Sequence, residues 1–492
     1  MDSFVSILET VNGLVWGSAD SLIGAIDYPP VLLLLLGTGL YLTVRLGFMP
    51  ILKIPYAFGQ LFSKDHNKDE GDVSPFGALM TALSSTIGTG NIAGVAVAIA
   101  IGGPGAVFWM WMTALVGMAS KYCEGVLAVK FREVDAAGRH VGGPMYYIKN
   151  GMGAKWVWLG GVFAVFGILA AWGTGASIQA NSIADAINAN YSQYGIEPWM
   201  TALVLAIGAG AVIIGGIKSI ASVAEKLVPA MAIGYLLAGL IVVGMNAPEI
   251  PNAFMRIVTN AFGFKEASTG ITIGLLLIAM QKGVARGIFS NEAGQGSAPI
   301  AHAAARNNDP VNQGIVAMLG TFIDTIVVCS ITAFVILTAG IIPEACEPFV
   351  RPDLIMLPEG CETGAPLTVM AFEKALPGFG SHIVAVGLAV FGFTTILGWS
   401  YYGERCCEYL FGEKSIMIFK ISWVLVVFGG AMVLMLEEGG AVTDVVSLFW
   451  LVADTLTGLM AAPNLIALLV LSPLVAAMTK AYFDKEKAKK AE

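Results

Sequence analysis

Pro75 to Ile101 reads PFGALMTALSSTIGTGNIAGVAVAIAI. The stretch is long and apolar enough to cross a bilayer, which takes about 20 residues of helix. Its middle, however, is Ser84-Ser85-Thr86-Ile87-Gly88-Thr89-Gly90-Asn91. Hydroxyls, glycines and an amide at membrane depth do not suit a plain helix. Irregular backbone is tolerated there only where protein buries it or where it lines a wet cavity. A helix broken at the midplane frees carbonyls and amides that can hold an ion and a solute, which is how secondary transporters build their sites.

The composition around this stretch agrees. The chain has 492 residues, 56% of them hydrophobic and 13% charged, with a mean hydropathy of +0.76. A soluble domain carries about 25% charged residues, so this is an all-α polytopic membrane protein. The four His and six Cys fall into no HExxH, CxxC or other metal-ligand spacing, and no nucleophile–base motif is evident. That argues against an enzyme. Nothing points to nucleic acid, and the partner implied by composition is the lipid bilayer.

Hydropathy places eleven crossings near 29–47, 75–101, 104–130, 156–189, 198–216, 226–246, 268–300, 311–342, 365–402, 415–436 and 443–479. Residues 1–28 lack a basic leader, carry Asp2, Glu9, Asp20 and Asp27, and read as an amphipathic helix at the membrane surface. Lys and Arg gather in 45–68, in 130–155, at Lys218, Lys226, Arg306, Arg405 and Lys414, and in the tail 480–492. They share one side if the N-terminus is outside and the C-terminus cytoplasmic. Arg256 and Lys265 dissent. Cys346 and Cys361 fall in one outer loop, where a disulfide is one reading and two unrelated thiols the other.

The seventh crossing is also interrupted. Apolar residues stop at Met280, and Gln281-Lys282-Gly283, Arg286-Gly287 and Ser290-Asn291-Glu292-Ala293-Gly294-Gln295-Gly296 follow. Five crossings separate it from the second, so the two broken helices enter the membrane from opposite sides. This is the layout of a five-plus-five inverted repeat, here 75–246 and 268–479, with 29–47 as an additional first span.

Four motifs carry a family resemblance. They are Thr86-Ile87-Gly88-Thr89-Gly90-Asn91, the run Gly102-Gly103-Pro104-Gly105 through Gly117, Phe289 to Pro299, and Gly398-Trp399-Ser400-Tyr401-Tyr402-Gly403-Glu404. The chain resembles the alanine or glycine:cation symporter family, also called the sodium:alanine symporter family. The resemblance implies a fold similar to the bacterial leucine transporter. It also implies co-transport of a sodium ion with alanine, glycine or a similar small neutral amino acid, in a bacterial or archaeal-type plasma (inner) membrane. Ile87-Gly88-Thr89-Gly90-Asn91 is similar to a short run of the leucine transporter. By position this implies sodium-binding carbonyls at Ser84, Ile87 and Phe391, hydroxyls at Thr394 and Thr395, and substrate-carboxylate amides at Thr89 and Gly90.

The residue chemistry is compatible with that set. Sodium is a hard cation that takes oxygen ligands. An amino-acid carboxylate suits the N–H groups and positive end of a half-helix, and its ammonium needs acceptors. The candidates are the carbonyls near Met280, Gln281 and Gly283, the Gln281 side chain, and Asn91. Trp399 is expected to wall the pocket, and Gln179 and Asn181 to line it. Ionisable groups at membrane depth are functional candidates by default. Asp324 is read as a second cation position, a tuner of the first, or a proton carrier. Lys282 and Arg286 are expected to form gate pairs with Glu292, and Asp454 to belong to an outer gate. The alternatives to sodium symport are a proton-coupled carrier or exchanger on the same fold and, in another class, a channel, for which filter motifs are absent.

Overall fold

A computed structural model describes residues 2–16, 30–61, 70–262, 272–342, 349–351, 354–356, 361–438 and 445–491. The described residues are almost wholly helical, with two short antiparallel hairpins among them, Glu133–Val134 with His140–Val141 and Phe349–Arg351 with Leu354–Met356, and an isolated parallel bridge between Val73 and Ala305. Apolar side chains and internally satisfied backbone make helices the natural answer in lipid. Among the described residues, six helices are long and apolar enough to cross a membrane, or seven if the bent pair Pro75–Thr86 and Gly90–Gly102 is one span. Helices stand at the other expected positions too, but Pro30–Arg45 and Pro198–Ile213 have only 16 residues each.

The elements differ from the expected boundaries in several places, and the crossing expected at 226–246 already begins at Gly216 in the helix Gly216–Met245. The expected crossing 365–402 is two helices, Gly364–Ala375 and Gly380–Phe411. The Glu373 carboxylate accepts from Gly378 N and, at 2.9 Å, from Ser381 N, and so caps the start of the second helix. The crossing expected at 156–189 is part of a helical run, Ala154–Tyr194, that loosens into a π-helical segment at Ala171–Ser177. A helix at Ile250–Ala261 was not anticipated. The tail expected from 480 continues the last helix, Val445–Ala491. Cys361 is disulfide-bonded, and Cys346 lies outside the described residues.

The N-terminal helix, Asp2–Trp16, is not merely laid on a surface. It packs on Val445–Ala491, with Val15 and Trp16 buried. Asn12 Nδ2 donates to Thr455 Oγ1 at 2.9 Å and Trp16 Nε1 to the Asp454 carbonyl at 3.0 Å.

Close helix packing depends on small residues. Gly105–Lys130 lies against both Thr272–Asn291 and Pro310–Thr321. At that contact a Cβ on Gly125 would stand 2.7 Å from Ala317 Cβ, and one on Gly314 2.5 Å from Val126 Cγ2. Dispersion between closely packed apolar surfaces, rather than hydrophobic burial, holds such contacts in a bilayer. The two broken helices are gripped inside this packing.

Candidate functional site

The first break is short. Ser74 caps the helix Pro75–Thr86, taking a hydrogen bond from Gly77 N at 2.8 Å, and Ile87 leaves it in an extended conformation. The chain turns by 56° and re-enters a helix at Gly90. The freed amides find neutral acceptors: Gly88 N donates to Asn91 Oδ1 at 2.9 Å, and Thr89 N to Gln179 Oε1 at 3.4 Å. The Gln179 contact is long, so Thr89 N is the more readily exchanged of the two.

The helix Gly380–Phe411 closes on this break. Thr395 Oγ1 lies 3.0 Å from the Phe391 carbonyl and 3.4 Å from the Ile87 carbonyl, and Thr394 Oγ1 donates to the same Phe391 carbonyl at 2.9 Å. One hydroxyl has one proton, so two carbonyl oxygens compete for it. The approach requires glycines: a Cβ on Gly88 would stand 2.5 Å from Thr395 Oγ1, and one on Gly398 2.8 Å from Ser84 Oγ. Of the expected sodium ligands, Ile87, Phe391 and Thr395 are in direct contact and Thr394 shares the Phe391 carbonyl. Ser84 sits one turn back and bonds its own helix at Thr81 O, 2.7 Å away.

The second break is not where the sequence reading put it. The helix Thr272–Asn291 runs unbroken through Met280, Gln281 and Gly283, and the chain unwinds only at 292–297 before Ala298–His302. The expected ammonium acceptors at Met280, Gln281 and Gly283 are therefore corrected: their carbonyls belong to a continuous helix. The polar residues there have tertiary reasons. Gln281 Nε2 donates to the Trp16 carbonyl at 2.7 Å, and Gly283 leaves room for the Ala106 backbone.

The unwound stretch takes three left-handed residues, Glu292 (φ 54°), Gly294 (φ 83°) and Gly296 (φ 85°). Its backbone is held by charged and amide groups. Gly296 N donates to Glu124 Oε1 at 3.1 Å, Asn464 Nδ2 donates to that same oxygen at 2.7 Å and to the Gly294 carbonyl at 2.9 Å, and Ala293 N donates to Asn291 Oδ1 at 2.9 Å.

Between the breaks lies a small cavity. Gly88, Gly90, Gln179 and Thr395 line it together with Phe289, Glu292, Gln295 and Trp399. Trp399 is 2% exposed and packs edge-on against Tyr402, their ring centres 5.6 Å apart. It stands on Gly175, where any side chain would collide with it. Asn181 does not reach the cavity lining. Phe289 and Gln295 were not singled out from the sequence, although both lie in the quoted motif Phe289–Pro299.

Asp324 is fully buried. Its Oδ1 accepts from Asn91 Nδ2 at 2.6 Å, and its Oδ2 from Ser290 Oγ and Thr325 Oγ1, each at 2.8 Å. Asn91 belongs to the first break and Ser290 borders the second, so one carboxylate ties the two together. Asn91 thereby faces Asp324 and Gly88 N rather than the cavity.

The expected gate pairs of Lys282 and Arg286 with Glu292 are corrected as well. Glu292 Oε2 accepts from Ser297 Oγ at 2.5 Å. Arg286 instead pairs with Asp454 at 3.2 Å, near the N-terminal helix, and Lys282 stands one turn before it. At the other end of the fold, Arg405 meets Glu404, Glu408 and Asp135, while Arg139 joins Asp135 at 2.6 Å and Glu408 at 3.1 Å. Burial favours the neutral form of Asp135, but hydrogen bonds from the Arg139 backbone and guanidinium outweigh it and hold the carboxyl below its usual range. The spacing of Glu404, Arg405 and Glu408 on one helix face was the available sequence signal.

Among known proteins, the profile of the sodium:alanine symporter family matches residues 2–492. The sodium/alanine symporter AgcS of Methanococcus maripaludis is 50% identical over 99% of this chain and 100% of its own length. A putative sodium/proton-dependent alanine carrier protein, YrbD of Bacillus subtilis, is 39% identical over 98% of this chain and 93% of its own. In structure, MhsT in complex with L-phenylalanine matches with a TM-score of 0.50 at 12% identity, over 81% of this chain and 99% of that one. The structural neighbours share the leucine-transporter fold.

Proposed function

The chain belongs to the sodium:alanine symporter family, and from that premise we propose that it carries alanine, glycine or a similar small neutral amino acid across the membrane together with sodium. It is a multi-pass membrane transporter and not an enzyme. The observation that carries the sodium reading is the convergence of the Ile87 and Phe391 carbonyls on the Thr395 hydroxyl at the first break, within 3.0 to 3.4 Å. A cation arriving there displaces the hydrogen bonds of the Thr395 hydroxyl, which keeps its proton and turns a lone pair to the ion beside the two carbonyl oxygens, and neutral oxygens suit a hard monovalent ion. Ser84 and Thr394 complete the proposed ligand set. Sodium is cargo in this scheme, not a resident cofactor.

The substrate carboxylate goes to the Thr89 and Gly90 amides, displacing the long contact between Thr89 N and Gln179. Trp399 and Phe289 limit the side chain to hydrogen or methyl. Eleven crossings, the two repeats 75–246 and 268–479, an outside N-terminus and a cytoplasmic C-terminus make up the proposed topology. Sodium and the Asp324 link then couple the two breaks, so that each ligand raises the other's affinity by the same factor. The buried Asp324 favours one rival, a proton-coupled carrier in which that carboxylate titrates.

Uptake of labelled alanine into proteoliposomes tests the reading, with an imposed sodium gradient against a potassium control at equal pH. Concentrative uptake only with sodium outside is the expected result. Uptake that ignores sodium but follows a pH gradient removes the sodium site in favour of the Asp324 rival, and no uptake of alanine or glycine under either gradient removes the substrate assignment.

A further inference from the structure

With Gln281 and its neighbours inside a continuous helix, the substrate's ammonium group needs another acceptor. The cavity offers one. Gln295 lines it and is only 1% exposed. Its amide nitrogen is held by the Ile288 carbonyl at 2.9 Å, which fixes the side chain's rotation. Its carbonyl oxygen Oε1 is buried and has no hydrogen-bond partner among the described residues. A buried acceptor left unmade costs free energy, so such an atom on a cavity wall marks a place where something else completes it.

The charges around it have the right sign. Glu292 lines the same cavity. Glu124, from the helix Gly105–Lys130, is buried against the same unwound stretch, and its Oε2 also lacks a partner among the described residues. Lys121, three residues before Glu124 on the same helix, is buried as well. Two carboxylates against one ammonium leave the cluster one negative charge in excess when all are ionised. A buried charge without compensation is costly, and an incoming ammonium supplies the compensation. Glu292 also has φ 54°, a conformation costly for a residue with a Cβ. It holds the carboxylate beside the cavity while Oε2 takes the Ser297 hydroxyl.

We propose that Gln295 Oε1 accepts the substrate's ammonium group and that Glu292 supplies the negative charge facing it. This makes Gln295 the residue that distinguishes an amino acid from a hydroxy acid or carboxylic acid of the same size. The inference rests on the small-amino-acid reading above. It gives the zwitterion a direction: carboxylate on the neutral first break, ammonium on the charged second one.

The test uses the purified full chain in detergent. Alanine affinity is measured by calorimetry at saturating sodium, sodium affinity by tryptophan fluorescence without alanine, and competition by lactate, which keeps the carboxylate and methyl but lacks the ammonium. For Gln295→Met, alanine affinity is expected to fall at least about tenfold while the alanine-to-lactate preference shrinks by a similar factor. Sodium affinity should stay within about twofold, since the sodium site lies on the other break. A merely structural role would not move the alanine-to-lactate ratio. Glu292→Gln removes the charge and leaves one amide oxygen as the acceptor for Ser297, the other carboxylate oxygen becoming an NH2 donor. It is expected to lose alanine affinity in the same way and serves if the first variant does not fold. Unchanged alanine affinity in a folded variant, or parallel loss of sodium and alanine binding in both, overturns the proposal. If the wild-type chain binds no small amino acid, the underlying reading fails. If it does bind one and the variants behave like it, only the ammonium assignment fails.

Discussion

At the first break, Ile87 to Thr89, loosened backbone meets neutral partners: the Asn91 and Gln179 side-chain oxygens and the Thr395 hydroxyl. At the second, Glu292 to Ser297, it meets the Glu124 carboxylate and the Asn464 amide, with Lys121 beside them. The first is a bend between two helices, where a Cβ on Gly88 would meet the Thr395 hydroxyl at 2.5 Å and the Gln179 oxygen at 3.4 Å before any backbone. The second needs two glycines with φ above +80° and is wedged between Phe163, Pro144 and Leu465. The difference divides the labour. A neutral, lightly tethered break can exchange its hydrogen bonds for an ion and a carboxylate. A charged, wedged break keeps its shape and offers acceptors in fixed places.

Alanine substitutions test that division most severely. Gly296→Ala puts a Cβ 2.7 Å from both Phe163 Cε2 and Pro144 Cγ in a left-handed residue. Strain and overpacking together cost about 2–5 kcal/mol, so thermal unfolding should show a poorly folded protein. Gly88→Ala should lower the melting temperature clearly less than Gly296→Ala yet abolish the gain in alanine affinity on adding sodium. Its Cβ meets only the Thr395 hydroxyl at 2.5 Å and, farther off, the Gln179 oxygen at 3.4 Å. If Gly88→Ala melts like Gly296→Ala, the first break is as rigid as the second and the comparison fails.

Asp324→Asn addresses the link between the breaks. An asparagine offers one acceptor where Asn91, Ser290 and Thr325 now donate to two carboxylate oxygens. At least one donor loses its partner, at about 1–3 kcal/mol. The expected result is that the factor by which sodium improves alanine binding falls about tenfold, measured by calorimetry with and without sodium. Retained coupling would mean that the breaks communicate by another route.

The first break was readable because its glycines and hydroxyls interrupt an otherwise apolar run, a local signal. The second was misplaced because polarity alone cannot tell a break from a docked helix. Gln281 looks like a break at membrane depth, but the Trp16 carbonyl, 265 positions away in sequence, satisfies it. Gly283 is there for the Ala106 backbone. The true break carries the stronger pattern, two glycines two residues apart beside a glutamate, and its meaning depends on Glu124 and Asn464 from other helices. The Thr394-Thr395 pair was marked by family resemblance, since adjacent threonines mid-helix often bond their own backbone, as these two do to Phe391. The split of 365–402 into two helices hangs on the Glu373 cap, which hydropathy does not register.

The smallest expected effect lies at the charged side's outer rim. Arg286 joins Asp454 at 3.2 Å and sits over the Phe289 ring, 5.4 Å from its centre, and Phe289 lines the cavity. Both charged side chains are about one-fifth exposed, 21% and 18%, so the ion pair is screened and contributes little by itself. The guanidinium plane on Phe289 adds about 0.5–1 kcal/mol, which lysine reproduces poorly. Arg286→Lys keeps the charge and loses the stack. It should speed alanine exchange about two- to fivefold in counterflow, by that same energy, while sodium affinity holds. A change of this kind would place Phe289 as the cavity's movable wall on the charged side. An equal slowing of sodium release would tie the rim to the neutral break instead, and the separation between the two breaks would no longer hold.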